Sequence, residues 1–348
     1  MKRALRVGLL LLATSGVAGT ARADTPPSLW DRAREPELAD SYRLHLEVQR
    51  RLATGLTAED FGFSSSHESE KMTVRAMLER AHADKSPDVR LRFDLGLVYT
   101  MLGRTEDASY YRRAAEVLQA ALAMAPDHPA AEEAWGNLAD ACGHTGDHDC
   151  ERRSYRAVLR LRTDEDEHGT STLNLAETEM HLGNLREAIE GYREALRLAS
   201  RYPSRTLAPL AIWGLAVAFD RSGDRVAADR EALRVIEMQA SSGLGGLLRS
   251  SGVFFFPEYE VSWYDAVGAS ARARQPNVSV ADAARYWKTA EDAYSAYLRG
   301  AERRGRDDRW LELAKVRVAA AKAEREKAEK KRGKVPAPPA SDDEETNL

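Results

Sequence analysis

The residues with the greatest potential for chemistry lie in one short cluster near the middle of the chain. Cys142, His144, His148 and Cys150 fall close together, with an aspartate on either side of the second histidine. Thiolate and imidazole groups bind zinc, so the cluster raises the hypothesis of a metal site. Structural zinc sites, however, usually draw ligand pairs from two separated segments, whereas these residues straddle one predicted helix turn. We therefore favour an interpretation without metal.

The alternative chemistry for this cluster is a disulfide. Cys142 and Cys150 are the two cysteines of the chain and lie on either side of a predicted helical turn. In an oxidising compartment such a pair can form a bridge that staples the turn, provided that the two Cα atoms approach within about 7 Å. We predict this disulfide. A metal- or redox-responsive periplasmic module centred on the same pair remains the alternative function.

Catalytic and cofactor-binding motifs are absent from the rest of the sequence. The chain contains no His-Glu-x-x-His, no Gly-x-Ser-x-Gly and no phosphate-binding loop. The polar runs at 67–70 and 164–168 are interpreted as solvated loops. We therefore predict that the protein is not an enzyme and uses no cofactor.

The beginning of the sequence has the pattern of a secretory signal peptide. Basic residues at positions 2, 3 and 6 precede a short apolar run at 7–17, and Ala21-Arg22-Ala23 fits the small-x-small cleavage rule. The apolar run is short for a membrane span. We expect cleavage between Ala23 and Asp24, no membrane span in the mature chain, and a periplasmic or secreted location.

Composition limits the classes of partner. The 348 residues include 51 Lys+Arg and 55 Asp+Glu, for a net charge of -4, and 43% of them are hydrophobic. The hydrophobic fraction is sufficient for a sizeable core. A near-neutral balance argues against a dedicated nucleic-acid binder, which would normally show a basic face.

The stretch at 170–200 shows how these residues are organised. Its apolar residues recur with helical spacing in two halves, and Leu182-Gly183-Asn184 separates them. Glycine suits the left-handed end of a helix, and Asn184 with Glu187 three residues later is a capping-box signature for the start of the next helix. The stretch therefore predicts two antiparallel helices joined by a tight turn.

Similar hairpins recur along the chain. We place turn glycines at positions 103, 146, 183 and 223, with about six extra turn residues around Ser109-Tyr110-Tyr111 in the first repeat. Internal periods of about 40 residues are typical of stacked helical hairpins, because a single hairpin cannot bury both of its apolar faces.

At these positions the chain resembles the tetratricopeptide repeat family, in an exported bacterial type. The family has a leucine and a small residue between aromatics in the first helix, then alternating small and aromatic residues in the second. The resemblance covers about residues 87–240 and implies an all-α, right-handed superhelical solenoid of stacked antiparallel helix hairpins. The residues that carry it are Leu95, Gly96, Tyr99, Pro126, Trp135, Leu138, Ala139, Ala188, Tyr192 and Ala195.

Segments of different composition flank the repeats. A Gly/Ser-rich stretch interrupts the helical pattern after residue 240, and the C-terminus is Pro-rich and then acidic. The predicted order is a signal peptide (1–23), an extended leader (24–36), a helical pair (37–86), the repeats (87–240), a Gly/Ser and Phe-rich connector (241–257), a degenerate repeat with a capping helix (258–333) and a disordered tail (334–348).

The resemblance also implies where a partner would bind. In the family, residues two before and two, five and six after the motif leucine of each first helix line a concave groove. Their mixed apolar, acidic and basic character would suit a protein or peptide partner, and the expected function is an interaction scaffold or assembly factor of the cell envelope. The candidate groove residues are Phe93, Leu97, Met101, Asp140, His144, Glu177, Met180, His181, Trp213, Val217, Asp220, Arg221 and Arg272.

Overall fold

The predicted all-α class is confirmed by the computed structural model, which describes residues 36–57, 65–162, 168–201, 206–242, 246–249, 257–304 and 308–332. Within these ranges 87% of the residues are helical and no strand occurs. The predicted signal peptide and acidic tail lie outside the described residues, as do residues 24–35 of the leader and the Phe254–Phe256 patch of the connector.

The chain divides into two compact units, residues 1–214 with 246–257, and residues 215–245 with 258–348. The predicted repeat segment is thus shared between them. In the first unit, the first eight helices pack against their neighbours in chain order as antiparallel hairpins. Its helices are α1 (Pro36–Thr57), α2 (Ser65–Arg80), α3 (Val89–Thr105), α4 (Ser109–Met124), α5 (Ala131–Thr145), α6 (His148–Leu161), α7 (His168–His181), α8 (Leu185–Arg201) and the first half of α9 (Leu207–Ser222).

The second unit contains the rest of α9 and the four helices that follow. Each of the last three helices packs against the one before it. These helices are α10 (Arg225–Ser242), α11 (Val261–Ala273), α12 (Val280–Arg304) and α13 (Leu311–Arg332).

Turns between paired helices are built as predicted at three of the four glycines. Gly146, Gly183 and Gly223 adopt positive φ angles of 79°, 82° and 90°, which a residue without Cβ adopts at little cost. After α7, the backbone N–H of Asn184 donates to the carbonyl of Glu179 over 2.8 Å, closing the helix end. The Asn184 side chain donates to the Glu179 carboxylate over 2.7 Å.

The fourth turn glycine was wrongly placed. Gly103 lies inside α3, and the chain turns at 106–108, so that Ser109 to Tyr111 begin α4 instead of forming an extended turn. A Cβ at Gly103 would lie 2.9 Å from the Tyr111 ring, closer than real contacts allow. The glycine therefore permits close packing of α3 on α4. The predicted loop at 67–70 is also helical, in α2.

Candidate partner-binding face

The thirteen predicted groove residues fall into three groups by exposure, because six are half-buried, six are buried and one is exposed. Six of them are half-buried and lie on the first helices of three successive hairpins, two on each of α3, α5 and α7. We call these six the groove face: Leu97, Met101, Asp140, His144, Glu177 and His181.

Six other predicted groove residues are buried and do not line an open surface. The reason is clearest in α9, where every described side chain from 209 to 221 is buried, including Trp213 at 4% exposure and Val217 at 0%. A helix that is apolar on all sides is a core element. Phe93 and Met180 are buried in α3 and α7, and Arg272, on α11 of the second unit, is exposed.

Asp220 and Arg221 are buried because they belong to a polar network inside the second unit. The Arg221 guanidinium donates to Glu260 over 2.7 Å and lies between the Trp263 and Trp310 rings, at 4.7 and 4.9 Å from their centroids. Burial raises the pKa of Glu260, although the charge of Arg221 opposes that shift.

Asp220 accepts hydrogen bonds in the same network. The indole N–H of Trp263 donates to its carboxylate over 3.0 Å, and Arg317 donates over 3.1 Å. Both partners lie far along the chain from Asp220, so counting from the motif leucine could not reveal them. Their hydrogen bonds hold the helices of the second unit together.

On the groove face, α3 and α5 are joined by charge. Arg104 donates to the Asp140 carboxylate through Nε over 2.8 Å, and His144 Nδ1 lies 2.9 Å from the Asp140 carbonyl oxygen. The His144 ring stacks on Tyr111 with centroids 3.8 Å apart. Burial raises the pKa of Asp140, but the hydrogen bond from His144 and the charge of Arg104 lower it by more. The net shift is downward, which favours the ionised carboxylate.

On α7, the groove face is anchored by the neighbouring helices. Tyr192 of α8 donates its hydroxyl proton to Glu177, and His181 Nε2 lies 3.7 Å from the same carboxylate. The His181 ring stacks on His148 of α6, with 4.7 Å between centroids. Glu177 and His181 are therefore held in place by α6 and α8.

Beside this face, Cys142 and Cys150 are joined by a disulfide between α5 and α6, with 5.8 Å between their Cα atoms. Both cysteines are buried, at 1% and 2% exposure. His148 lies 2.8 Å from Glu151, whose pKa is raised by burial. In the part of the chain that the structure describes, no three His, Cys, Asp or Glu side chains are arranged to hold a metal ion.

A charged recess of about 440 Å³ lies between α2, α3 and α4. Tyr99 donates its hydroxyl proton to Glu79 over 2.8 Å, and Arg113 donates to the same carboxylate over 2.8 Å while stacking on the Tyr99 ring. Arg75 Nε lies 3.7 Å from Glu79. Glu79 therefore holds both arginines of this recess.

Sequence reasoning missed the contact that α1 makes with α3. His45 Nδ1 lies 2.8 Å from Asp94 Oδ2, and Gln49 donates to Asp94 Oδ1 over 2.8 Å. The Arg90 guanidinium stacks over the Tyr42 ring at 4.7 Å. Two signals could have revealed it: Asp94 stands among apolar residues, and the two α1 residues lie one helical turn apart.

Comparison with known proteins identifies one repeat by sequence and several similar structures. Residues 171–202 match a family model described as tetratricopeptide repeat. No curated protein matches the chain. None of the helices that the structure describes has the length and apolar character that crossing a membrane requires.

Three similar solved structures are described as containing tetratricopeptide or TPR-like repeats. A putative kinesin light chain from Podosopora anserina with TPR-like repeats is 17% identical, over 61% of this chain and 99% of that one, with a TM-score of 0.43. A signal transduction ATPase from Pyrococcus horikoshii with a tetratricopeptide repeat sensor is 14% identical. The match covers 86% of this chain and 46% of that one, with a TM-score of 0.47. The C-terminal part of a TPR repeat-containing protein from Cytophaga hutchinsonii is 13% identical. The match covers 82% of this chain and 98% of that one, with a TM-score of 0.43.

The matched residues coincide with the α7–α8 hairpin, which runs from His168 to Arg201. Tyr192 is fully buried in this hairpin, and Ala176 and Gly191 provide its close helix contact. The hairpin therefore has both the sequence and the packing of a tetratricopeptide repeat.

Proposed function

We propose that this protein is an interaction scaffold or assembly factor of the bacterial cell envelope, and that it binds a peptide or helix of a partner protein on the groove face. The observation that supports the proposal is the half-buried state of six side chains at the positions of α3, α5 and α7 where the family resemblance implies binding. Leu97 and Met101 offer an apolar end, and Glu177 offers a carboxylate. This pattern suits an amphipathic helix with a basic end.

Export is part of this proposal. The basic and apolar segments before Ala23 support cleavage and a periplasmic or secreted mature protein. A Cys142–Cys150 disulfide is the state expected in an oxidising compartment.

Site-specific photo-crosslinking in intact cells tests the proposal. Probes would replace Met101 and Glu177, and a control probe would replace Arg153, which is exposed on α6. We expect the same discrete adduct from 101 and 177 and none from 153. Trp213 is unsuitable for a probe because it is buried.

A substitution completes the test. The Leu97→Glu/Met101→Glu variant, shown to be folded by circular dichroism, should lose the adduct from 177. An absence of adducts at both positions, or equal labelling from 153, would contradict binding on the groove face.

A further inference from the structure

The groove face is already occupied at one end by the chain itself. Phe93 and Leu97, two of the residues predicted to contact a partner, line a recess of about 40 Å³ together with His45 and Gln49 of α1. Helix α1 packs on α3 at this recess, which the first turns of α5 complete. A partner helix could therefore contact Phe93 and Leu97 only after displacing α1, which occupies that position.

The attachment of α1 is light. Among its described side chains, Val48 and Leu52 are buried, whereas α3 buries ten residues. The recess leaves a small space between α1 and α3 beside Phe93 and Leu97, and Leu46 on α1 is 48% exposed. Helices with few buried contacts open at lower free energy than the core does.

Between α1 and α3 the hydrogen bonds converge on one acceptor, while Arg51 of α1 also donates to Glu70 of α2 over 2.8 Å. Asp94 is 2% exposed and receives its contacts from His45 and Gln49, one turn apart on α1. A buried carboxylate needs such partners, because its polar atoms cannot reach water. If α1 leaves, another helix must supply equivalent donors or water must enter.

We propose that α1 is a displaceable occupant of the groove face, and that the partner is an amphipathic helix of the same chemistry. Such a helix carries two hydrogen-bond donors one turn apart for Asp94, with aliphatic side chains at the positions of Val48 and Leu52. This inference rests on the proposed function and specifies how access to that face is controlled. Because α1 is tethered, its high effective concentration keeps weak competitors out until a partner engages.

A synthetic peptide of residues 36–57 is the probe, labelled for fluorescence anisotropy and added to the purified full chain. We expect weak binding to the unaltered protein, because α1 already occupies the face. In the His45→Ala/Gln49→Ala variant the tethered helix lacks its donors, so the peptide should bind at least about tenfold more tightly as the open fraction rises.

Two controls separate displacement from general loosening. The Arg43→Ala/Leu46→Ala variant changes two exposed residues of α1 and should bind the peptide as the unaltered chain does. A peptide with His45→Ala/Gln49→Ala should fail to bind the release variant, because it offers Asp94 no donors.

Hydrogen exchange on the unaltered protein gives a second readout that needs no variant. Amides of α1 should exchange well before those of α3. Exchange of both helices only on global unfolding, or equal peptide affinity for the release and unaltered chains, would overturn the proposal. Adducts from positions 101 and 177 in cells, together with either result, would leave the proposed function standing without a displaceable α1.

Discussion

Small residues determine how closely the helices of a hairpin approach. Gly191 of α8 faces Ala176 of α7, and a Cβ added at Gly191 would lie 2.8 Å from the Ala176 Cβ. That atom is fixed to the backbone, so the clash cannot be relieved by a side-chain rotation. The spacing of the repeat is set here by the absence of one methyl group.

Gly191→Ala should therefore lower the free energy of unfolding, by about 1–3 kcal/mol, because overpacking forces the helices apart. The matched control is Gly136→Ala in α5, where nothing lies within 4 Å of the added Cβ. Alanine has the higher helix propensity, so this control should stabilise by about 0.5–1 kcal/mol. Chemical denaturation measures both, and similar effects at the two positions would contradict the close approach.

Asp140 illustrates how a single charge couples stability to pH. Its pKa is lowered in the folded protein relative to the ordinary value of 3.8, so the folded state binds fewer protons at that site. The stability that it contributes is present above that value and is lost as the pH falls through the lower folded value.

Asp140→Asn should cost roughly 1.5–3 kcal/mol at neutral pH, because Arg104 and His144 lose a charged acceptor. The difference from the unaltered protein should begin to shrink below about pH 4, where the carboxylate of the unfolded chain takes up a proton, and should vanish as the pH falls through the lower pKa of the folded carboxylate. Unfolding midpoints measured from pH 2 to 7 test this. Asp149→Asn, at an exposed surface pair, is the control and should change stability by less than about 1 kcal/mol.

Between elements, the disulfide joins the end of α5 to the beginning of α6 across the Gly146 turn. Its loop is short, with a sequence separation of 8 residues. In the chain-entropy model such a loop stabilises the folded state by about 2–3 kcal/mol, mainly by restricting the unfolded chain.

Unfolding in the presence of a thiol reductant should therefore show a lower free energy by about that amount. The Cys142→Ala/Cys150→Ala variant should be insensitive to the reductant. Thiol labelling of the denatured protein counts free cysteines, and we expect none before reduction. Two free thiols with bound metal would instead support the metal-responsive alternative.

How far the sequence predicts an element depends on whether its partners are local. The α7–α8 hairpin was predicted from Leu182-Gly183-Asn184, because turn chemistry is decided by neighbours in the chain. Gly103 misled the same reasoning, since glycine serves close helix packing as well as turns.

The groove residues show the same limit. The apolar circumference of α9 was visible in the sequence and could have placed Trp213 in the core. The burial of Asp220 and Arg221 could not be foreseen, because their partners Glu260 and Arg317 are distant in the chain. Polar contacts between residues far apart in the chain produce no periodic pattern in the amino-acid sequence.

At the scale of the whole molecule, the proposed export would bring the protein into an oxidising compartment. The proposed mature chain begins at Asp24, so intact-mass spectrometry of protein from the envelope fraction should show the loss of residues 1–23. A matched variant, Ala21→Arg/Ala23→Arg, breaks the small-x-small rule and should accumulate at full length. Full-length protein from the unaltered gene, confined to the cytoplasm, would contradict export.

The Arg221–Glu260 pair has a consequence for how this sequence can change over generations. Replacing one partner alone leaves the other charge buried without its ionic partner, at a cost of roughly 3–5 kcal/mol, whereas replacing both with apolar residues of similar volume can be neutral. Single steps away from the pair therefore pass through a poorly folded intermediate. Descendants of this chain should keep both residues or lose both, so the two positions are inherited as one character.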